Sequence, residues 1–209
     1  FTQKSGKAIC ISCKNSISRK IITADIAKNK DREMIAIQIQ KIKGRDYISP
    51  SDEDKKLYDD AVRYFNLKRK EFEKNNFIPT ENILPCQSRG KGHALWLYGI
   101  KYWSEYFDER QLLILCTFLQ ELKKLCREIK DEEYRLVIVI YFSSILSKRI
   151  NASGFGVPWN QTREMTENIL ALRRPSMVLN FAESNPFEKS RGSFQNILKN
   201  ILKGISFSS

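Results

Sequence analysis

Downstream of Tyr98 the apolar positions fall into a helical rhythm. Leu112, Leu115, Phe118, Leu119, Leu122 and Leu125 recur every three or four residues, which predicts an amphipathic helix of about five turns. Glu133 to Arg149 follows, and its centre, Leu136-Val137-Ile138-Val139-Ile140-Tyr141-Phe142, is apolar on every face. Such a run suits a buried strand or a buried helix; its length and the flanking Glu132, Glu133 and Lys148 favour the helix. Gly154-Phe155-Gly156-Val157-Pro158 breaks the pattern. Short helices are predicted beyond it, around Arg163–Leu170, Ser176–Glu183 and Ser193–Leu202.

Upstream, Ser49-Pro50-Ser51-Asp52-Glu53 reads as a helix start. Ser49 or Ser51 would cap it, with acids in the first turn where the helix dipole favours them. The helix should reach about Phe72 and bury Leu57, Ala61, Tyr64, Phe65 and Leu67. Asn75 to Lys91, with Pro79, Pro85 and Gly90, reads as an extended linker. Before residue 48 the pattern changes: Ile21-Ile22-Thr23-Ala24 is β-branched, and Met34 to Gln40 alternates apolar with polar. Both read as strands, with Lys28-Asn29-Lys30-Asp31 as a turn between them. The expected class is mainly α: a helical domain over residues 49–209, with a small N-terminal β element, zinc-ribbon-like, over residues 1–48.

The longest apolar run, Leu136 to Phe142, is too short to cross a bilayer, and no membrane association is expected. Five cysteines in a lysine-rich chain without a secretory signal point to a reducing compartment, with the cytoplasm as default. The chain opens on Phe1 rather than methionine, as a piece of something longer would.

Charge changes the picture more. The net +12 is uneven: residues 1–50 hold 11 Lys/Arg against 4 Asp/Glu, residues 51–147 hold 16 against 16, and residues 148–209 hold 9 against 4. Two basic ends attract phosphate backbones, with an affinity that falls steeply with salt.

The strongest local signal is Cys10-Ile11-Ser12-Cys13. Its spacing is that of one zinc knuckle, whereas a tetrahedral structural site takes four ligands. It reads as two thiolates of a half site or as two ordinary thiols in a hairpin. Cys86 and His93 could in principle complete a site, but their spacing is loose for a ribbon, and Cys116 and Cys126 fall on the long helix, where cysteine usually behaves as a small core residue. No glycine-rich phosphate loop or nucleophile context is present, and His93 is the sole histidine. No catalytic residue is predicted. The aromatic cluster Trp96, Tyr98, Tyr102, Trp103, Tyr106 and Phe107 is either core or a stacking platform for bases, with core favoured. Arg89 and Lys91 are the better candidates for phosphate contact.

Several blocks look familiar in order. Arg89-Gly90, Tyr98-Gly99-Ile100-Lys101-Tyr102-Trp103 and Phe107-Asp108-Glu109-Arg110-Gln111-Leu112-Leu113 are followed by Asn151, Trp159-Asn160, Met177 through Phe187, and Gly192-Ser193-Phe194. With Ser5 through Cys13 they span nearly the whole chain. They resemble the insert region of a family of large adenine-specific DNA methylases. Ile11 stands where that family has proline in its knuckle, Leu179 where it has tryptophan, and Arg173 and Arg174 are displaced from its arginine.

The resemblance implies absence as much as presence. Such methylases carry an S-adenosylmethionine loop upstream and a catalytic Pro-Pro-Tyr motif downstream, and neither occurs here. S-adenosylmethionine is thus expected only in the full-length protein, and this chain alone is expected to be inactive. The missing zinc ligands are expected upstream, leaving Cys10 and Cys13 as a half site for zinc. The implied role is an accessory DNA-recognition or core-supporting domain, since base-flipping methylases hold the duplex with a separate element. Arg89, Lys91, Arg163, Arg173, Arg174 and Arg191 are the expected DNA contacts. Glu183, Asn185 and Pro186 are expected to turn the chain toward the catalytic core of the parent protein. The alternative is an interaction module docking a partner subunit of a DNA modification or defence system.

Overall fold

The computed structural model describes residues 2–4, 7–29, 32–42, 44–85, 94–155, 157–160, 162–163, 165–169, 182–188 and 192–208. The chain is mainly helical. It divides into two compact units, one of Phe1–Asp60 with Asn82–Lys101 and one of Ala61–Glu81 with Tyr102–Ser209.

In the first unit, β1 (Thr2–Lys4), β2 (Lys7–Ile9) and β3 (Ser16–Ser18) form a three-stranded antiparallel sheet. Helix α1 (Arg19–Asn29) follows directly. The strand expected at Ile21–Ala24 is therefore helix. The Ser18 hydroxyl accepts the Ile21 N–H at 3.4 Å, packing against the Ala94–Tyr98 turn supports the helix, and the β-branched side chains are accommodated at modest cost. The turn expected from Lys28 begins inside α1, and its Lys30 and Asp31 lie outside the described residues. A short 3₁₀ turn, Ala94–Tyr98, packs on α1. Gly99 follows it at φ +74°, and a Cβ there would meet Ala27 Cβ at 2.6 Å, so that position admits only glycine.

The predicted strand Met34–Gln40 shortens to β4 (Ile37–Gln40). It pairs antiparallel with β5 (Arg45–Ile48) as an independent two-stranded hairpin. The expected linker is pinned where it is described: Ile83 is buried, its N–H donates to Lys101 O at 2.8 Å, and its carbonyl accepts the Trp96 indole N–H. Residues 86–91 lie outside the described residues.

Helix α2 (Asp52–Lys74) starts where the acids and Ser51 predict. The Ser51 hydroxyl accepts the Asp54 N–H at 3.2 Å while the Asp54 carboxylate accepts the Ser51 N–H at 2.8 Å, a reciprocal cap. The buried face is narrower than predicted. In the second unit Phe65 and Phe72, seven residues apart, join Ile78, Leu112 and Cys116 in one core. Ala61 is half-buried, but Leu57, Tyr64 and Leu67 lie off that stripe and are exposed.

Helix α3 (Glu109–Glu128) matches its periodicity, burying Leu112, Leu115 and Cys116. The all-apolar run is indeed helical, within α4 (Glu132–Asn151), capped by Asp131, whose carboxylate accepts the Tyr134 N–H at 2.9 Å. It is not buried all round as expected. One side packs on α3, with the Phe118 and Phe142 rings stacked at 5.9 Å, while Tyr134, Leu136, Val137 and Ile140 face out.

The helix expected at Arg163–Leu170 is instead the turn and second strand of a small hairpin, β6 (Trp159–Asn160) with β7 (Met165–Thr166). The Asn160 side chain accepts the Arg163 N–H at 2.9 Å, a local bond that favours the turn over a helix. The helix expected at Ser176–Glu183 falls mostly outside the described residues, and Ala182 and Glu183 are not helical. Helix α5 (Phe194–Ser208) begins behind Ser193 as predicted and runs past Leu202. No helix among the described residues is long and apolar enough to cross a membrane.

Candidate functional site

The polar centre of the second unit is built around one buried cation. Ile145, Arg149 and Ala152 lie on one stripe at the end of α4 and face inward, which takes the Arg149 side chain to 2% exposure. Its guanidinium donates from Nη1 to Ser184 Oγ and to the Gly192 carbonyl, both at 3.0 Å, and from Nη2 to the Ser184 carbonyl at 2.8 Å. Burial pulls its pKa down to about 10, partly offset by the Glu183 charge. At neutral pH it remains a cation, and neutral oxygens supply the hydrogen bonds that make its burial tolerable.

The same group ties further segments. Thr166, also buried, donates to the Ala152 carbonyl at 2.6 Å and lies 2.9 Å from Ser184 Oγ. Ser153 Oγ donates to the Arg149 carbonyl at 2.9 Å. Asn151 O accepts the Ile169 N–H at 3.1 Å, and Pro186 O accepts the Phe194 N–H at 2.9 Å. Asn185 turns the chain by accepting the Phe187 N–H at 2.9 Å.

Beside this hub Arg110 holds Glu183 with two nitrogens, Nε to Oε1 at 3.3 Å and Nη2 to Oε2 at 2.6 Å. Arg110 sits in the first turn of α3, where buried Asp108 caps the helix and Gln111 closes a capping box onto the Asp108 N–H at 3.2 Å. Gln111 Nε2 is buried and finds no acceptor among the described residues.

The sequence did not single out Arg149 as a site. Its position four residues past Ile145 on the apolar stripe was the available signal, since that spacing puts a basic residue on the buried face.

Of the expected DNA contacts only Arg163 is described. It is exposed at the β6–β7 turn and pairs through Nη1 with Glu167 at 2.9 Å. Hydrogen bonds from Asn160 and Arg163 hold the Glu167 carboxyl below the usual carboxylate range. Arg89, Lys91, Arg173, Arg174 and Arg191 lie outside the described residues.

Cys10 and Cys13 share the tight turn between β2 and β3. The Cys10 N–H donates to Asn15 O at 3.0 Å, the Lys14 N–H donates to Cys10 O at 2.9 Å, and Lys14 takes a left-handed φ of +60°. Backbone N–H groups of Cys13 and Ser12, with the Cys13 thiol, pull the Cys10 thiol below its ordinary pKa. Two adjacent sulfurs with amides turned toward one of them fit one arm of a tetrathiolate site. Among the described residues no group of three or more metal-ligating side chains is present; Cys86 and His93 lie outside them.

The aromatic cluster is largely core. Tyr98 and Tyr106 are buried, Trp103 and Phe107 half-buried, and burial pushes the Tyr106 hydroxyl up to about 12. Trp96 and Tyr102 keep exposed edges, with Lys101 5.6 Å above the Trp96 ring. No family model, curated protein or solved structure matches this chain.

Proposed function

We propose that this chain is an accessory DNA-recognition or core-supporting domain of an adenine-specific DNA methyltransferase, itself without the methyl-transfer site. One observation carries the reading. Residues in three of the blocks that resemble the methylases meet in the second unit: Arg110 pairs with Glu183, Pro186 O accepts the Phe194 N–H, and Arg149 bridges Ser184 and Gly192. Short motifs scattered over some 80 residues and joined by an ion pair, a backbone bond and a bridging buried arginine are what a shared framework requires.

The basic balance of the end segments supports DNA as the partner. Zinc enters as the ion for which Cys10 and Cys13 supply two ligands, and S-adenosylmethionine belongs to the catalytic part of the parent chain. The setting of such an enzyme is the cytoplasm. Binding of the chain to duplex DNA across a salt series tests the reading. Affinity that falls steeply with salt is expected, together with no methyl transfer by the chain alone. No affinity at low salt removes the DNA-recognition half, and methyl transfer by this chain overturns the assignment of chemistry elsewhere.

A second reading is a module that docks a partner subunit of a modification or defence system. The outward Tyr134, Leu136, Val137 and Ile140 of α4 favour it, because exposed apolar groups clustered on one helix mark interaction surfaces. A partner retained after nuclease treatment would support this reading.

A further inference from the structure

The β4–β5 hairpin presents a side-chain arrangement that the helical body does not need. Register pairs Gln38 with Tyr47 and Gln40 with Arg45, so these four side chains occupy one face; Ile37, Ile39, Asp46 and Ile48 take the other. The polar face is laced together. Arg45 donates from Nη1 to Gln38 Oε1 and from Nε to Gln40 Oε1, both at 3.1 Å, and Gln38 Nε2 donates to the Tyr47 hydroxyl at 3.1 Å. Gln40 Nε2 is held by the Gly44 carbonyl at 3.0 Å and the Lys41 carbonyl at 3.2 Å. Tyr47 is 61% exposed, and at the tip Ile42 is fully exposed, flanked in sequence by Lys41 and Lys43. Gly44 closes the turn at φ +79°, its carbonyl accepting the Lys41 N–H at 3.0 Å. The hairpin carries Lys41, Lys43 and Arg45 against Asp46, which pairs with Lys41. Among the described elements, its extensive contacts are those between its own two strands.

The geometry points to this hairpin as the element that reads duplex DNA, lying in the major groove with the Gln38, Gln40, Arg45 and Tyr47 face toward the base edges. The major groove, about 12 Å wide, admits a two-stranded ribbon. Arginine and glutamine are the side chains whose paired donors and acceptors match guanine O6/N7 and adenine N7/N6. Gln38 and Arg45 are half-buried, and the cross-strand bonds that brace the hairpin also pre-order these rotamers, which lowers the cost of binding. Lys41, exposed beside the turn, complements phosphate. The inference rests on the DNA-recognition reading and names its contact element.

The test measures affinity of the whole chain for a duplex pool with a randomised centre, at several salt concentrations, followed by sequencing of the bound fraction. Arg45→Ala and the double variant Gln38→Ala/Gln40→Ala are each expected to lower affinity about tenfold and to flatten the selected sequence preference. Lys41→Ala should reduce the salt slope by about one, without changing the preference. Methylation of guanine N7 should weaken the wild type and leave the residual binding of the Arg45 variant unaffected. Gln38 and Arg45 are half-buried and brace the hairpin, so unchanged circular dichroism and thermal unfolding of each variant establish folding. If the wild type binds duplex and the hairpin variants match it in affinity and preference, the hairpin assignment is overturned while the DNA reading stands. If the wild type binds no duplex at low salt, both fall.

Discussion

Arg110 and Glu183, 73 positions apart in sequence, meet as a two-point ion pair, with the carboxylate side chain mostly shielded from water. The pair fixes the 182–188 segment against the first turn of α3. A planar fork on a carboxylate is specific to arginine, and lysine offers a single point charge. Arg110→Lys is expected to cost about 1–2 kcal/mol of unfolding free energy, as is Glu183→Gln. The double variant should cost less than the two singles together, and a chemical-denaturation cycle over the four proteins measures that coupling.

Arg149 should be the most sensitive charged position of the second unit. Arg149→Ala removes a buried cation and leaves the Ser184 and Gly192 carbonyls unpaired, with an expected loss of roughly 3 kcal/mol. Arg163→Ala takes one partner from Glu167, whose carboxylate keeps its Asn160 bond, and should cost under about 1 kcal/mol. Near-equal denaturation midpoints for the two variants would refute the hub.

Two glycines in left-handed conformations should respond differently to alanine. Gly154 sits at φ +107° with the Ile169 side chain in the way and Tyr106 O 2.8 Å from an added Cβ. Gly44 sits at φ +79° with open space around it. Gly44→Ala carries only the backbone penalty, about 1 kcal/mol, whereas Gly154→Ala adds a clash and should lose at least roughly twice that. Thermal unfolding of both variants makes the comparison.

The described cysteines should separate by alkylation rate. Cys10 is surface-accessible and its thiol is lowered, so its thiolate appears at lower pH than an ordinary cysteine's. Cys116 is buried and pushed up to about 12, so it stays protonated and shielded until the fold opens. Mass spectrometry after brief iodoacetamide treatment at mildly alkaline pH is expected to find Cys10 modified and Cys116 intact, and denaturant should equalise them. Early modification of Cys116 would contradict its place in the Phe65–Phe72 core.

The long helices were legible because their signals are local. Ser51 ahead of Asp52 and Glu53, Glu132 and Glu133 beside the apolar run, and the three-to-four-residue spacing from Leu112 onward need no tertiary information. Sequence failed where a neighbour decides. Leu57, Tyr64 and Leu67 look as buriable as Phe65, yet only the stripe facing α3 finds a partner. Ile21–Ala24 is β-branched, but a serine hydroxyl at its start suits a helix equally well, and the contact between α1 and the Ala94–Tyr98 turn is a long-range fact. At the site, the resemblance selected Arg110, Glu183, Ser184 and Gly192 as members of motifs without saying what they touch. Arg149, which bonds Ser184 and Gly192, lies outside every block.

The Arg149 contacts also predict an order of events during folding. The guanidinium lies at the end of α4, but its acceptors lie 35 and 43 residues further along. Helices α3 and α4 are neighbours in sequence and can pair early, whereas the arginine must wait for a long stretch of chain to close over it. Until that closure the last turn of α4 has to stay wet, because dehydrating the cation without its carbonyls is prohibitive. The completion of this unit is therefore timed by the arrival of Gly192, and a nascent or truncated chain ending before it would hold a helical pair whose final turn cannot yet be sealed.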